Sequence, residues 1–254
     1  MYTLATAKQL RTRLDLEPGN SAGDERLWRA LSAASARIER DSGRRFTPRL
    51  ATLPHAARHP RELALLDDLL HLQRLGNGDA RDIDLSDVQT LPAAAEGSAS
   101  VLRLTGEQRF SGPGAIQVSG LWGWHDRWSQ AWRSGVDTLQ DDPLTAAPTT
   151  LLVSDSGRFQ PGQLLRVGDE YLRLLASDGS NQELQVQRGA QGTTATHHSQ
   201  GSAIDVYQPA AAVNLLCLRL AAWLYREPAR IPAADLPADV ASELRALRRE
   251  SAAS

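Results

Sequence analysis

Apolar residues recur at helical spacing near both ends of the chain and at strand spacing through its middle. Residues 6–16, TAKQLRTRLDL, place Leu10 and Leu14 four apart behind Thr6, which predicts a short capped helix ended by the sequence EPGN. The next segment, SAGDERLWRALSAASARIERDSGRRF, puts Leu27, Leu31, Ala34 and Ile38 on one stripe. Ser21 and Asp24 have capping-box spacing, Gly43 supplies a stop, and Arg37 and Arg40 suit the negative end of the helix dipole. The alanines in the stripe permit close approach of a second helix.

Beyond Phe46 the period changes. FTPRLATLPHAARHP, with prolines at 48, 54 and 60, reads as extended chain or loop. ELALLDDLLHLQRLGNGD fits helix and strand alike, and its closing GNGD favours a hairpin. VLRLTG and AIQVSGLWGW alternate like strands. Residues 133–150 read as a polar connector. From Thr150 to Tyr207, short alternating runs are broken by turn residues about every ten positions, the pattern of a small barrel or sandwich. At about sixty residues such a module is near the lower size limit for a separate core and is expected to lean on a neighbour.

Helical spacing then returns. After Pro209, Val213, Leu216, Cys217, Leu220 and Leu224 share a face up to Pro228. A last helix is expected from about Pro237, with Asp235 or Leu236 at its cap and Val240, Leu244 and Leu247 as its stripe. The predicted fold class is therefore α+β: an α-helical bundle with a small antiparallel β layer, plus an inserted all-β barrel- or sandwich-like module. The bundle takes residues 1–145 and 208–254, its end helices packing together, and the module takes 146–207.

Composition adds few constraints. The chain has 254 residues, 41% of them hydrophobic and 23% charged, the balance of a globular protein. A formal net charge of −2 gives no global basic field toward nucleic acid or anionic membrane. No apolar run approaches the roughly 18 residues of a membrane span, and MYTLATAKQL lacks the layout of a secretory signal. These features point to the cytoplasm or a particle assembled there. A single cysteine, Cys217, excludes an internal disulfide framework.

Catalytic motifs are missing. There is no nucleophile elbow and no phosphate loop, and GNGDAR and GPGAIQ lack the third glycine of a dinucleotide fingerprint. Cys217 falls on an apolar helix face, as a structural thiol does. His55 and His59 are four apart, but Pro54 and Pro60 argue against the helix that would converge them on a metal. His197 and His198 read as turn or surface residues, and the pairs Asp67–Asp68 and Asp141–Asp142 as solvated carboxylates. Neither a cofactor nor a metal is expected.

GLWGWHDRW, residues 120–128, holds three of the six tryptophans, and Trp132 follows. Strand alternation would place Trp122 and Trp124 on one face, and Trp128 and Trp132 stand four apart. Four such rings serve as core or subunit-contact anchors, each removing about 150–250 Å2 from water. The alternative is a carbohydrate- or receptor-binding platform built on Trp122 and Trp124. A hydrolase with a divided site is a further rival, for which no convergent acid–base set stands out.

Three segments resemble the head–tail connector proteins of tailed bacteriophages and prophages, also called adaptor or head-completion proteins. LWRALSAASARIERDSGRRFTP is similar to the family's early helix, AIQVSGLWGW to the strand that closes its β layer, and AVNLLCLRLAAWLYREPAR with LPADVASELRALRR to its terminal helix pair. The chain departs from compact family members over about 133–207. There GDEYLRLLASDGSNQELQVQRGAQGTTATHHSQGSAI resembles a β motif of phage virion proteins. In that stretch Gly189 and Gly192 are expected in tight turns and Glu170 within about 6 Å of Arg188, paired across strands.

The connector resemblance implies a structural virion protein and no enzyme. About twelve copies would form a ring between the capsid portal and the tail, assembled in the host cytoplasm. The ring would extend the channel for double-stranded DNA, read without sequence specificity, and dock a stopper or tail-completion protein. No membrane is involved. The resemblance places the portal contact on the C-terminal helix and tail, residues 236–254, with Leu244, Arg245, Leu247, Arg248 and Arg249 as the candidate interface. A helix with two leucines amid arginines suits a groove with an acidic rim; the alternative is a packed terminal helix with a solvated basic end. Deleting residues 244–254 is expected to leave a folded protein that no longer binds the portal.

Overall fold

The computed structural model describes residues 2–17, 24–79, 81–93, 97–111, 114–226 and 236–249. The chain divides into two compact units, one of residues up to 43 with 132–249, the other centred on residues 44–131.

In the first unit, helices α1 (Ala7–Arg13), α2 (Asp24–Ser42), α3 (Ala211–Arg226) and α4 (Ala238–Ala246) come from the two ends of the chain. Thr6 caps α1 through the backbone N–H of Gln9, and the Gln9 side chain returns a bond to Thr6. The predicted stripes are the buried ones: Leu27, Leu31, Ala34 and Ile38 on α2, and Val213, Leu216, Cys217, Leu220 and Leu224 on α3. These faces pack together. The small residues of α2 bring polar groups close as well: Ser35 Oγ accepts from Leu4 N at 3.0 Å and donates to Leu31 O at 2.8 Å. From α3, Asn214 Nδ2 reaches the Leu4 carbonyl at 2.8 Å. Helix α2 ends at Gly43, which takes a left-handed φ of 67°. Helix α3 begins at Ala211, two residues beyond Pro209, and α4 begins after Pro237. The predicted cap Ser21 and stop Pro228 lie outside the described residues, and the N-cap of α4 is Pro237 and not Asp235 or Leu236.

The same unit holds a six-stranded antiparallel sheet: β7 (Trp132–Thr138), β8 (Thr150–Leu152), β9 (Leu164–Val167), β10 (Glu170–Asp178), β11 (Glu183–Gln187) and β12 (Ala203–Tyr207). Its order is β7-β12-β9-β10-β11-β8. A bridge between Leu139 and Val153, with Gln140 N bonded to Leu152 O at 2.9 Å, joins β7 to β8 and closes the sheet into a barrel. Alternate residues fill the interior, including Leu151, Phe159, Leu165, Leu172, Val186 and Ile204. The barrel leans on its neighbour as expected: Trp28 and Thr3 lie against Gly162, and the Arg173 guanidinium lies 5.4 Å from the centre of the Tyr2 ring.

The second unit is an open antiparallel sheet of β1 (Arg49–His55), β2 (Glu62–Gly76), β3 (Asp82–Ile83), β4 (Val88–Leu91), β5 (Ala99–Leu104) and β6 (Ile116–Trp122). The order is β1-β6-β2-β5-β4, with β3 on β2. Its core includes Leu63, Leu69, Leu75, Leu102, Val118 and Trp122. Gly120 sits where β6 crosses β2, and a Cβ there would stand 2.3 Å from the His71 carbonyl oxygen.

The predicted α-helical bundle with a small β layer is therefore incorrect. The chain is mostly β, two six-stranded antiparallel sheets with four α-helices among the described residues. Two segments account for the difference. ELALLDDLLHLQRLG is one 15-residue strand whose three register shifts break its alternation. Residues 132–138, most of which read as polar connector, form β7, whose buried Asp137 hides the inward face behind a polar letter.

Candidate functional site

The most developed polar cluster lies in the barrel. Glu170 opens β10 with its side chain fully buried, and Arg188 follows β11 with its side chain 5% exposed. Arg188 Nε donates to Glu170 Oε1 at 2.7 Å and Nη2 to Oε2 at 2.8 Å, the expected pairing in bidentate form. Gly189 N, Thr196 N and His198 Nε2 also donate to the carboxylate, at 2.9, 3.1 and 2.8 Å. The remaining guanidinium hydrogens go to the carbonyls of Thr145, Pro148 and Thr196. Gly189 and Gly192, at φ 57° and 81°, shape the turns that bring these donors in.

Burial pushes the Glu170 carboxyl up, and the donors from Arg188, Thr196, Gly189 and His198 more than reverse it, holding it down at about 2. All five Arg188 N–H groups have acceptors. Thr196 Oγ1 lies 3.4 Å from His198 Nε2, but that nitrogen already faces Glu170. Glu170 therefore cannot orient the ring from its far side while Nε2 serves Thr196 as a base. The cluster is a clasp that ties the 144–148 and 188–198 loops to β10. His198, expected at a turn or surface, is part of it, and Leu144 and His198 exchange backbone bonds at 3.1 and 2.9 Å. Adjacent histidines gave no sign of this, because the partner carboxylate lies 28 residues away.

A second carboxylate guards the barrel seam. Asp137 accepts from Thr138 N at 2.7 Å, Ser154 N at 3.3 Å and Asp155 N at 2.9 Å. Burial opposes its charge, and these bonds bring its carboxyl below the usual range.

The tryptophans take separate roles. Trp122 is completely buried, donates Nε1–H to Ala51 O at 2.9 Å and stacks on His55 with centroids 5.6 Å apart. It offers no face to a ligand. Trp124 lies past the strand, because Gly123 at φ 147° breaks the alternation. Its ring meets Phe46 edge-on at 5.5 Å under the Arg44 guanidinium. Trp128 meets His125 edge-on at 6.4 Å. Trp132 belongs to β7, in the other unit, where Tyr171, Tyr207 and Arg166 surround it at 5.3, 5.4 and 4.4 Å. Trp122 and Trp124 thus do not share one strand face.

The C-terminal candidates divide similarly. Leu244 is 4% exposed and belongs to the helical core, Leu247 and Arg249 are half-buried, and Arg245 and Arg248 are exposed. Arg249 N bonds to Ser42 O at 2.9 Å. Residues 250–254 lie outside the described residues.

Other candidates resolve into packing. His55 Nδ1 donates to Leu53 O and Nε2 accepts from Leu66 N, both at 3.0 Å. His59 Nδ1 accepts from Arg61 N. Asp67 and Asp68, expected to be solvated, instead pair with Arg49 at 3.1 Å and Arg44 at 2.7 Å. Asp141 accepts from Leu152 N at 2.8 Å. Cys217 is buried, and burial pushes its thiol up to about 11. No group of three or more His, Cys, Asp or Glu side chains placed to hold a metal occurs among the described residues. No helix among them is long and apolar enough to cross a membrane. The chain matches neither a family model nor a curated protein.

Proposed function

We propose that the chain is a head–tail connector of a tailed phage: a structural virion protein that multiplies into a ring between portal and tail. The ring continues the channel for double-stranded DNA and receives a stopper or tail-completion protein. The observation that carries this reading is the packing of α2 on α3. These two helices, from opposite ends of the chain, include two of the segments that resemble the connector family, and the third forms β6. The saturated bonding of the Glu170 clasp adds support, since it serves to hold loops in place.

The portal contact is assigned to the outer side of α4 and the residues after it. Arg245 and Arg248 project there, with Leu247 beside them, while Leu244 faces the core. Deleting residues 244–254 would remove a core side chain, so paired charge reversal, Arg245→Glu with Arg248→Glu, is the cleaner test. Mixing the full chain with the portal protein should give ring-shaped complexes by electron microscopy, and the double variant should bind at least tenfold more weakly with an unchanged melting temperature. A full chain that leaves the portal bare overturns the reading; equal binding by the double variant overturns the α4 assignment.

A further inference from the structure

Strand β2 carries a bulge with an unusual balance of order and exposure. Ala64 faces Val101 and Leu69 faces Ala99, so β2 has three more residues than β5 between these pairs. The bulge is firmly held. Leu66 N donates to buried His55, Asp67 pairs with Arg49, Asp68 pairs with Arg44, and Gly123 N donates to Asp68 O at 2.8 Å. Yet Leu66 itself is 72% exposed, the most exposed large apolar side chain described. A solvent-facing leucine on a pinned backbone has little backbone freedom to lose on docking, which is how a contact anchor gains affinity.

The same unit contains a matching hollow. Between Leu69 and Leu75, β2 changes partner from β5 to β3. Beside this stretch is a hollow of about 190 Å3, lined by Leu70, His71, Leu72, Leu85, Val88 and Thr90. Ligand sites usually need about 300–1,000 Å3. A cavity of about 150 Å3 accepts a benzene-sized apolar group, so this one suits a single aliphatic side chain. Leu85, 38% exposed, forms part of its rim.

We propose that Leu66 of one copy of this chain inserts into the Leu72–Leu85–Val88 hollow of a second copy. The occupant is a second copy because knob and hollow match in size and chemistry and occur on one unit, so every molecule carries both halves. The contact rests on the connector reading, in which copies stand side by side, but it is testable without the portal.

Sedimentation velocity over a concentration series of the full chain should show self-association. Leu66→Asp and Leu85→Asp should each weaken it at least tenfold with unchanged circular dichroism. An equimolar mixture of the two variants should associate more strongly than either alone, since each retains the half the other lacks. A wild type that stays monomeric, a Leu66→Asp variant that assembles normally, or a mixture no better than its components overturns the contact. Any of these alongside portal binding leaves the connector reading standing. Association through Leu66 without portal binding leaves the contact standing and removes the reading.

Discussion

The barrel of β7–β12 and the open sheet of β1–β6 have six strands each and handle buried charge and strand edges differently. The barrel joins its first and last strands at Leu139–Val153, and its buried carboxylates, Glu170 and Asp137, hold loops and the seam. The open sheet ends on β1 and β4, and its buried carboxylate Asp68 anchors a bulge that displays a leucine. Both uses keep the charge hydrogen-bonded, as burial requires. In the barrel the result is a sheet pinned across its seam at Leu139–Val153, suited to rigidity; in the sheet it is a fixed projection, suited to contact.

The largest break in this comparison should come from Glu170→Ala. It leaves the Arg188 guanidinium buried without its anion, which costs about 3–5 kcal/mol. Urea denaturation should show that loss, and Glu170→Gln should recover part of it. A loss below about 1 kcal/mol would mean the clasp is ornamental.

Acid should reach the same clasp more gently. Glu170 is held at about 2 in the folded chain, against about 4.3 for an ordinary glutamate. As pH falls, the unfolded chain takes up the proton first, so stability present above about 4.5 drains away toward pH 2. The difference is worth about 3 kcal/mol. Asp137, also lowered, moves stability the same way. Denaturation midpoints measured between pH 6 and pH 2 should fall less steeply for Glu170→Gln than for the wild type.

In the open sheet, Gly120→Ala would push a Cβ to 2.3 Å from the His71 carbonyl, a backbone atom with little room to yield. Overpacking of this kind costs about 1–3 kcal/mol, and a thermal melt should show it. An unchanged melt would mean that β2 and β6 can separate at no cost.

What the sequence disclosed follows from how local each signal is. The stripes of α2 and α3 and the Thr6 cap depend on neighbours three or four residues apart, and all were legible. The Glu170–Arg188 pair is legible too, in the motif resemblance and not in spacing. The path of β2 was not legible, because bulges at Leu65–Asp68 and beyond remove the period of two that identifies a strand. β7 was hidden by Asp137, whose burial depends on backbone N–H groups 17 and 18 residues away. The strand alternation proposed for Trp122 and Trp124 failed at one glycine, Gly123. Burial of polar residues and local backbone twists are set by distant partners, which no short-range pattern carries.

The smallest expected effect is on stability at Leu66, and it separates the two ways of reading the bulge. If the leucine served the fold, Leu66→Asp would lower stability as a core substitution does, by about 2–5 kcal/mol. Its side chain is 72% exposed, and surface changes stay within about 0.5 kcal/mol. The anchors beneath it are different: Asp68→Ala leaves Arg44, 18% exposed, beside an emptied site and should cost several times more. A bulge that tolerates loss of its tip but not of its anchors is organised to present that tip. Matched denaturation curves for the two variants decide the matter, and equal losses would place Leu66 with the core.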